Sequence, residues 1–285
     1  MPLPSPGNPI GMPFIELQSV DSTNKYAMGL VHRDHLPDGQ DEAQHGTSIF
    51  THEQTSGKGQ RGKKWVSEKD LNIALSILLN PYPLRVQEQF RLSICIAVSV
   101  HEFFYKYAGD KTSIKWPNDL YWRDRKAGGI LIENIVGSSE SEVRSRESGI
   151  GSQTSLAHHS SLITPNWKWA IVGIGININQ AVFPDDLPNA VSLKQITGKN
   201  YQPVELAKEL CAVIEENYQA LITGKFELLF NNYQTHLYKK DEKVKLKKDN
   251  RVFETTINGV SETGQLITRH SIEERFNFGE VEWII

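Results

Sequence analysis

The chain has 285 residues, which is long enough for one large domain with a small companion domain. Its 31 basic and 34 acidic side chains give a formal net charge of −3. This balance argues against a protein whose overall charge holds it on nucleic acid or on an anionic membrane. The N-terminus lacks the basic and apolar regions of a secretory signal peptide, and no apolar stretch is long enough to span a bilayer. We therefore expect a cytoplasmic protein.

The N-terminal third predicts a short strand, a helix and two further strands. Residues 1–13 are rich in proline, and we expect a flexible tail. Residues 14–17 have the composition of a strand, and Asp21 or Ser22 is a suitable cap for a helix that runs to about residue 33. Residues 47–52 and 71–79 are apolar and β-branched at strand length, with a Gly-rich basic loop between them.

The middle of the chain predicts a long helix followed by a largely antiparallel sheet. Apolar residues recur at helical spacing over residues 86–107. Three strand-like segments follow at residues 112–116, 120–122 and 129–135, and residues 170–178 form another. The segment between the last two, residues 137–166, is rich in Ser, Gly, Glu and Arg, and we expect an exposed insertion there.

Near residue 239 the sequence changes from helical spacing of apolar residues to short alternating segments. Two amphipathic helices are predicted over residues 203–221 and 226–237. Beyond them, short alternating segments separated by turn residues indicate four or five strands, a barrel of SH3-like size. The basic segment 243–248 is expected to be a solvated edge of that barrel. Cys95 and Cys211 lie in predicted helices and do not form a Cys-x-x-Cys pair, so we expect buried thiols.

A Gly-rich, basic segment at residues 54–65 offers backbone N–H groups beside several cations, an arrangement that suits an anion. Its Gly57, Gly59 and Gly62 match the spacing of a dinucleotide-binding loop, but a strand rather than a helix follows, so that interpretation is rejected. A flexible hairpin loop with solubilising charges explains the same residues equally well.

Three further segments have the residue types of a binding site. Residues 115–120, Lys-Trp-Pro-Asn-Asp-Leu, combine a strand end with metal-capable oxygens, although a plain β-turn predicts the same Pro-Asn-Asp. Lys126 lies at the start of an apolar strand and could reach a carboxylate or phosphate, although a surface lysine is the simpler interpretation. Gly173, Gly175 and Asn177 share one strand face, where the glycines either allow tight packing or make room for a ring.

Together these segments resemble the biotin protein ligases. The order of motifs that carries the resemblance is Ser22-Thr23-Asn24, Gly57-Lys58-Gly59-Gln60-Arg61-Gly62, Lys115-Trp116-Pro117-Asn118-Asp119-Leu120, Lys126-Ala127-Gly128-Gly129-Ile130 and Gly173-Ile174-Gly175-Ile176-Asn177, with Ala190-Val191-Ser192-Leu193 as a weaker marker. The match covers residues 14–195. The insertion at residues 137–166 is absent from the common pattern.

The resemblance implies an α/β fold and a two-step reaction. The expected domains are a class II synthetase-like biotin/lipoate ligase catalytic domain at residues 14–238, built on a mixed, largely antiparallel sheet with flanking helices, and an SH3-like domain at residues 239–285. The implied reaction uses biotin, ATP and Mg²⁺ to form biotinyl-5′-AMP and pyrophosphate. A lysine of a biotin carboxyl carrier protein, such as that of acetyl-CoA carboxylase, then takes the biotinyl group.

The resemblance also implies residue roles. Lys126, Lys115 and Asp119 would be catalytic, with the metal near Asp119. The implied biotin-binding residues are Ser22, Thr23, Asn24, Gln54, Lys58, Gly59, Gln60, Lys126, Gly128 and Gly129. The implied adenylate-binding residues are Gly57, Lys58, Gly59, Arg61, Gly62, Trp65, Asn118, Gly173, Gly175 and Asn177.

Some questions stay open at this stage. Related ligases often carry arginine where this chain has Lys58 and Gln60, so the adenylate is held less tightly here or Arg61 and Lys63 compensate. The sequence leaves room for a lipoate or octanoate ligase and for a non-catalytic sensor of biotinyl-adenylate. It also leaves open a monomer or a homodimer. Too few residues precede Phe14 for a DNA-binding domain, so we expect a monofunctional ligase that binds neither nucleic acid nor membrane.

Overall fold

The computed structural model describes residues 7–33, 43–137 and 166–284. The predicted insertion lies outside this described part except for its end residues, and so does the first part of the predicted tail. Residues 7–13 do not behave as a free tail. Ile10 is buried in the main core, and its backbone N–H donates to Glu215 Oε2 at 2.8 Å. The proline content indicated flexibility, but one apolar side chain is enough to anchor this stretch.

The helices and strands follow the predicted order. The helices are α1 (Thr23–Arg33), α2 (Gln89–Ala108), α3 (Leu193–Thr197), α4 (Pro203–Ile222) and α5 (Phe226–Thr235). The strands are β1 (Phe14–Leu17), β2 (Ser48–Thr51), β3 (Gly57–Lys58), β4 (Lys64–Trp65), β5 (Asn72–Leu79), β6 (Thr112–Lys115), β7 (Asp119–Trp122), β8 (Arg125–Gly137), β9 (Asn166–Asn177), β10 (Lys243–Lys248), β11 (Arg251–Val260), β12 (Leu266–Arg269), β13 (Glu273–Phe276) and β14 (Glu282–Ile284).

Within the described residues, seven strands form one mixed sheet in the order β1-β2-β5-β9-β8-β7-β6. Only the β1–β2 pair is parallel, so the predicted largely antiparallel sheet is confirmed. The predicted loop between β2 and β5 is in part a small hairpin, in which β3 and β4 pair with each other. Strand β5 is buried along its whole length because it lies inside the sheet and both of its faces are covered.

The two faces of the sheet are covered by different helices. The main core contains Ile73 and Leu75 of β5 together with apolar residues of α2, α4 and α5. A smaller core on the opposite face joins Ala27 of α1 to Leu78 of β5 and Ile171 of β9. Because strand side chains alternate, the residues of β5 on the α1 face are Ala74, Ser76 and Leu78. Helix α1 covers only part of this face, and the rest of it is available for a cavity.

The C-terminal strands form a five-stranded antiparallel sheet in the order β13-β12-β11-β10-β14. The prediction that residues 243–248 form an edge is wrong, because β10 pairs with β11 on one side and with β14 on the other. Lys243 and Lys245 stay exposed on one face while Leu246 is fully buried on the other. The reason is topological: the final strand returns to cover a segment that local charge had marked as an edge.

Both cysteines are buried thiols, as predicted. Cys95 lies in α2 and Cys211 in α4, and burial raises the pKa of each, that of Cys211 to about 11. Neither thiol is therefore prepared to act as a nucleophile. Among the residues that the structure describes, no helix is both long enough and apolar enough to cross a membrane.

Candidate active site

A cavity of about 820 Å³ opens on the face of the large sheet that carries α1. Its walls come from the start of α1, the β3–β4 hairpin, strands β6 to β9 and the segment 183–190. The C-terminal sheet closes one side with Phe278, Val281, Glu282 and Trp283. The cavity therefore lies at the junction of the two sheets.

Uncharged polar side chains line one end of the cavity, and the Glu133 carboxylate lies behind them. The Thr23 N–H donates to Gln54 Oε1 at 2.9 Å, and Thr23 Oγ1 lies 3.1 Å from the same oxygen. Ser76 Oγ lies 2.7 Å from Thr23 Oγ1 and 2.6 Å from Asn24 Oδ1. The Asn24 amide group donates to Glu133 Oε2 at 2.7 Å. Ser76 is completely buried, so these groups are fixed before any ligand arrives.

Two glycines of β9 make room for neighbouring side chains. A Cβ on Gly173 would clash with the Asn24 amide, and a Cβ on Gly175 would lie 2.5 Å from Cε2 of the Trp65 indole. Because only glycine permits these approaches, Asn24 and Trp65 can both reach the sheet surface. Trp65 Nε1 is buried and has no hydrogen-bond partner among the residues that the structure describes.

The other end of the cavity is strongly cationic. The Lys126 ammonium lies 2.6 Å from Asp119 Oδ1, and Lys115 Nζ lies 3.1 Å from the Tyr121 hydroxyl. The pKa of Lys115 is lowered to about 8, mainly by burial; the Asp119 charge opposes this shift, and the Lys126 and Lys63 charges add to it. Lys63, Lys115 and Lys126 thus act on one region, in which Asp119 is the nearest carboxylate. This region suits an anion with several charges.

Aromatic rings from both sheets surround Lys115. Its ammonium lies 4.6 Å from the ring centre of Tyr121, 5.2 Å from that of Trp283 and 5.8 Å from that of Tyr238. Only 7% of Lys115 is exposed. The cation–π contacts stabilise the charge that the same rings remove from water. The charge of a lysine in the large sheet is therefore tuned in part by Tyr238 and Trp283, which lie far away in the sequence.

The Gly-rich hairpin is attached to the C-terminal sheet. An Arg61 guanidinium nitrogen donates to the Gly279 carbonyl at 3.2 Å, and the guanidinium lies 5.7 Å from the ring centre of Phe278. The Trp116 indole N–H donates to the Gly264 carbonyl at 2.9 Å. These contacts hold the two sheets together on either side of the cavity.

Residues 17–146 match the family model of the Biotin/lipoate A/B protein ligase family. The chain is 29% identical over 230 residues to a bifunctional ligase/repressor BirA of Bacillus spizizenii, covering 79% of this chain and 60% of that protein. It is 25% identical over 228 residues to a biotin–[acetyl-CoA-carboxylase] ligase of Paracoccus denitrificans, covering 78% of this chain and 83% of that protein.

The structural similarity extends over nearly the whole chain. A biotin protein ligase from Aquifex aeolicus, solved in complex with biotin and ATP, superposes with a TM-score of 0.68 at 25% identity, covering 94% of this chain and 97% of that one. The chain belongs to the biotin protein ligase family. It spans between a half and two-thirds of the Bacillus relatives that it matches, 60% of one and 52% of another.

Most residues predicted from the resemblance to biotin protein ligases line this one cavity. They are Ser22, Thr23, Asn24, Gln54, Lys58, Gly59, Gln60, Arg61, Trp65, Lys115, Asn118, Asp119, Lys126, Gly129, Gly173, Gly175 and Asn177. Strand pairing brings them together, because β9 lies between β5 and β8 and carries Gly173 under Asn24 of α1 and Gly175 under Trp65 of the hairpin. Their convergence makes this cavity the candidate functional site.

Three predicted glycines do not line the cavity. A Cβ on Gly57 would clash with the Trp65 carbonyl, so this glycine serves the pairing of β3 with β4. A Cβ on Gly128 would lie 2.7 Å from the Gly175 carbonyl, so this glycine serves the contact between β8 and β9. Gly62 has a φ of +76°, which favours glycine in the turn of the hairpin. Each of these family glycines shapes the site without facing it.

The side chains of Asn177 and Arg61, both predicted to bind the adenylate, make hydrogen bonds within the protein. The Asn177 amide donates to the Val191 carbonyl at 3.2 Å, so it holds a cavity wall in addition to facing the cavity. Val191 in turn donates its N–H to the Lys126 carbonyl, which explains the late Ala-Val-Ser-Leu marker. Arg61 is directed to the C-terminal sheet, which leaves Lys63 as the nearby cation that faces Lys115.

The sequence analysis missed Glu133, Ser76, Phe278 and Trp283 as residues at or next to the site. Period-two spacing from Gly129 on β8 places Glu133 on the cavity face, so that signal was present in the sequence. The signal for Ser76 was weaker, because a serine inside an apolar strand has many structural explanations. No local signal marks Phe278 or Trp283.

Proposed function

We propose that this protein activates biotin as biotinyl-5′-AMP and transfers the biotinyl group to a specific lysine of a biotin carboxyl carrier protein, such as that of acetyl-CoA carboxylase. The observation that carries the proposal is that one cavity joins the uncharged network around Ser76 to the three lysines around Asp119. Biotinyl-adenylate has matching ends, a neutral polar ring and a phosphate. The names of the similar ligases give independent support.

In the first step, a carboxylate oxygen of biotin attacks the α-phosphorus of ATP. A new oxygen–phosphorus bond forms, and pyrophosphate leaves with the electrons of the bond that breaks. The two reactants are both anions, so fixed cations lower the barrier by stabilising the charge that accumulates between them. We assign Lys126 to the biotin carboxylate and the α-phosphate, and Lys115 with Asp119 to the pyrophosphate side.

The remaining roles follow the two ends of the cavity. Ser22, Thr23, Asn24 and Gln54 would hold the biotin ring, and the hairpin residues Lys58, Gly59 and Gln60 would close over the ligand. The nucleotide would lie along Trp65, Asn118, Gly175 and Asn177, whereas Gly173, predicted from the resemblance to bind the adenylate, packs on Asn24 at the biotin end. The Trp65 indole packs directly on Gly175 and lines the cavity, so its ring would offer a surface on which a flat base could stack.

Mg²⁺ would enter with the ATP phosphates. The described residues contain no group of three or more metal-ligating side chains. This composition fits an ion that is held by phosphates and one or two carboxylates, with Asp119 as the candidate ligand. The ion would neutralise charge on the phosphates.

In the second step, the ε-amino nitrogen of the carrier lysine attacks the carbonyl carbon of the mixed anhydride. A carbon–nitrogen bond forms, AMP leaves with the electrons of the carbon–oxygen bond, and the amine loses a proton. We further propose that residues 14–238 form the catalytic unit and residues 239–285 an SH3-like unit. The position of Phe278 and Trp283 in the cavity wall supports a functional role for the smaller unit.

The decisive experiment incubates the protein with MgATP, a biotin carboxyl carrier domain and either biotin, lipoate or octanoate, and follows pyrophosphate and the mass of the carrier. Biotin-dependent pyrophosphate with a gain of one biotinyl group on the carrier is the expected result. A gain with lipoate or octanoate alone would assign the chain to the other branch of its family. Pyrophosphate without transfer, or neither product, would contradict the proposal and favour a sensor of biotinyl-adenylate.

The retention of the adenylate can be measured in the same assay. We propose that Lys58 and Gln60 hold it less tightly than two arginines would, because neither side chain replaces the bidentate guanidinium. The direction of Arg61 toward Gly279 supports this proposal. Free biotinyl-5′-AMP should appear in solution at a rate comparable to transfer, and its absence would show that Lys63 or another group compensates.

A further inference from the structure

We propose that Glu133 is a positioning residue that sets the hydrogen-bonding polarity of the biotin end of the cavity through the Asn24 amide. The proposal rests on the proposed function, since it concerns how that ring site selects its substrate. Glu133 lies on β8 and is half-buried, and its Oε2 accepts a hydrogen bond from Asn24 Nδ2 at 2.7 Å. Glu133 is not among the cavity-lining residues and reaches the site through Asn24.

Glu133 fixes the orientation of the Asn24 amide. An ionised carboxylate accepts hydrogen bonds and has none to donate, so it must face the NH₂ group of the amide. The Asn24 carbonyl oxygen is then turned away from Glu133 and toward Ser76, 2.6 Å distant. Because Asn24 is only 4% exposed, an amide in the opposite orientation would leave two acceptors facing each other in a buried place.

The hydrogens of the adjoining hydrogen-bond chain can be counted. Gln54 Oε1, Thr23 Oγ1, Ser76 Oγ and Asn24 Oδ1 form a chain with links of 3.1, 2.7 and 2.6 Å. The two carbonyl oxygens at its ends contribute no hydrogen, and the two hydroxyl groups contribute one each. The Thr23 N–H donates to Gln54 Oε1 from outside the chain, but the three links still share only two hydrogens. One link therefore lacks a hydrogen, and the chain keeps an acceptor for a further donor.

This count of hydrogens bears on the choice of substrate. The ring urea of biotin carries two N–H donors, whereas the dithiolane of lipoate and the chain of octanoate carry none. A site that lacks one hydrogen favours a ligand that donates one. With lipoate or octanoate bound, a buried acceptor would stay without a hydrogen-bond partner. Glu133 keeps the site in this state, because it prevents the Asn24 NH₂ group from turning inward and supplying that hydrogen itself.

The sharpest test exchanges the polarity of the pair. Asn24→Asp alone places two carboxylates together, and we expect a loss of biotin affinity of at least about 100-fold. Glu133→Gln alone keeps an oxygen that can accept from Asn24, and we expect a loss within about fivefold. In the double variant, the amide introduced at position 133 donates to the carboxylate introduced at position 24. The other oxygen of that carboxylate again faces Ser76 as an acceptor, so the affinity for biotin should be at least about tenfold higher than in Asn24→Asp alone.

A second variant covers the case in which the exchanged pair folds poorly. Glu133→Leu removes the acceptor, and we expect the KM for biotin in adenylate formation to rise about 10- to 100-fold. The KM for ATP should stay within about twofold. The matched control is Asn134→Leu on the same strand, which breaks a 2.7 Å hydrogen bond to Gln89 and should leave the KM for biotin within about twofold. Thermal unfolding of each variant reports whether it is folded.

The outcomes separate the two proposals. An active wild-type enzyme with no recovery in the double variant, or with an unchanged KM for biotin in Glu133→Leu, would overturn the role of Glu133 alone. Equal losses of biotin and ATP affinity in Glu133→Leu would show a merely structural effect and would also overturn it. A wild-type protein that forms no biotinyl-adenylate would overturn the proposed function and this inference with it.

Discussion

The Lys126 ammonium lies 2.6 Å from Asp119 Oδ1, and the two residues come from adjacent antiparallel strands. The pair is half-exposed toward the cavity, so it is open to an arriving phosphate. Asp119 holds the Lys126 side chain in place until a stronger anion competes for the ammonium. This geometry turns one exposed lysine into a fixed cation, which electrostatic catalysis requires.

Lys126→Ala should therefore slow adenylate formation by about 10²- to 10³-fold. The reason is the loss of a fixed cation where the carboxylate and the α-phosphate meet. The measurement is biotin-dependent pyrophosphate release at saturating ATP. Lys208→Ala, which removes a comparable 2.8 Å pair with Glu205 on the surface, is the control and should change the rate less than twofold. A similar rate for both variants would contradict the assignment of Lys126.

Gly173→Ala and Gly175→Ala should separate the two ends of the cavity. A methyl group at position 173 displaces the Asn24 amide and should raise the KM for biotin about tenfold or more, whereas one at position 175 displaces the Trp65 indole and should raise the KM for ATP instead. Steady-state kinetics with each substrate varied measures both effects. Gly29→Ala on α1, where the new methyl group meets no atom within 4 Å, should leave both values unchanged and raise stability by up to about 1 kcal/mol.

Trp283→Ala should shift the pH dependence of ATP binding. The pKa of Lys115 is lowered to about 8 by burial, so its charge is lost as the pH rises through that value. Removing the indole 5.2 Å away exposes the ammonium to water, and the pKa should rise toward its ordinary value of about 10.4. The KM for ATP, measured from pH 7 to 10, should then begin to increase at higher pH than in the wild type.

The control for this prediction is Phe253→Leu, which alters another aromatic contact of the C-terminal sheet, that with Phe276. Its pH profile should follow the wild type. A Trp283→Ala profile that also follows the wild type would show that the indole does not govern the charge of Lys115.

His101 should make the fold sensitive to acid. The pKa of His101 is lowered to about 4, mainly by burial and also by the nearby His236, whereas the unfolded chain has a pKa near 6.5. Below pH 6.5 the unfolded chain therefore binds the proton first, and the stability from His101 is lost as the pH falls toward 4. The loss at pH 5 amounts to about 2 kcal/mol. Urea unfolding at pH 7.5 and pH 5 should show a smaller difference in His101→Gln than in the wild type.

His52 should give the stability a pH dependence of the opposite sign. Hydrogen bonds to Glu16 and Asp70 raise the pKa of His52, so its stabilising contribution is present below the unfolded value and is lost as the pH rises through the folded one. His52→Gln should therefore reduce stability more at pH 5 than at pH 7.5. Equal pH dependence in the wild type and both variants would contradict both assignments.

The elements of this fold follow from local signals in the sequence. Helix α2 and strand β5 were predicted within a few residues, because apolar periodicity and turn residues act over short windows. The motif glycines and lysines were also found from sequence, because their spacing on one strand or hairpin is a local property. Gly57 and Gly128 were assigned to the ligand by resemblance, and only the coordinates show that their role is to let backbones approach.

The sequence alone determined the order of the elements, the burial of the cysteines and most residues of the candidate site. The tertiary structure decided which segments became neighbours. Strand β10 became an interior strand because β14 returns to pair with it, and Trp283 came to lie beside Lys115 for the same reason. Glu133 contacts Asn24 only because α1 packs on β5 and β9, and β9 is the neighbour of β8. The Lys115–Trp283 and Asn24–Glu133 contacts join residues more than 100 positions apart. Even the β10–β14 pairing lies outside the short windows over which local sequence signals act.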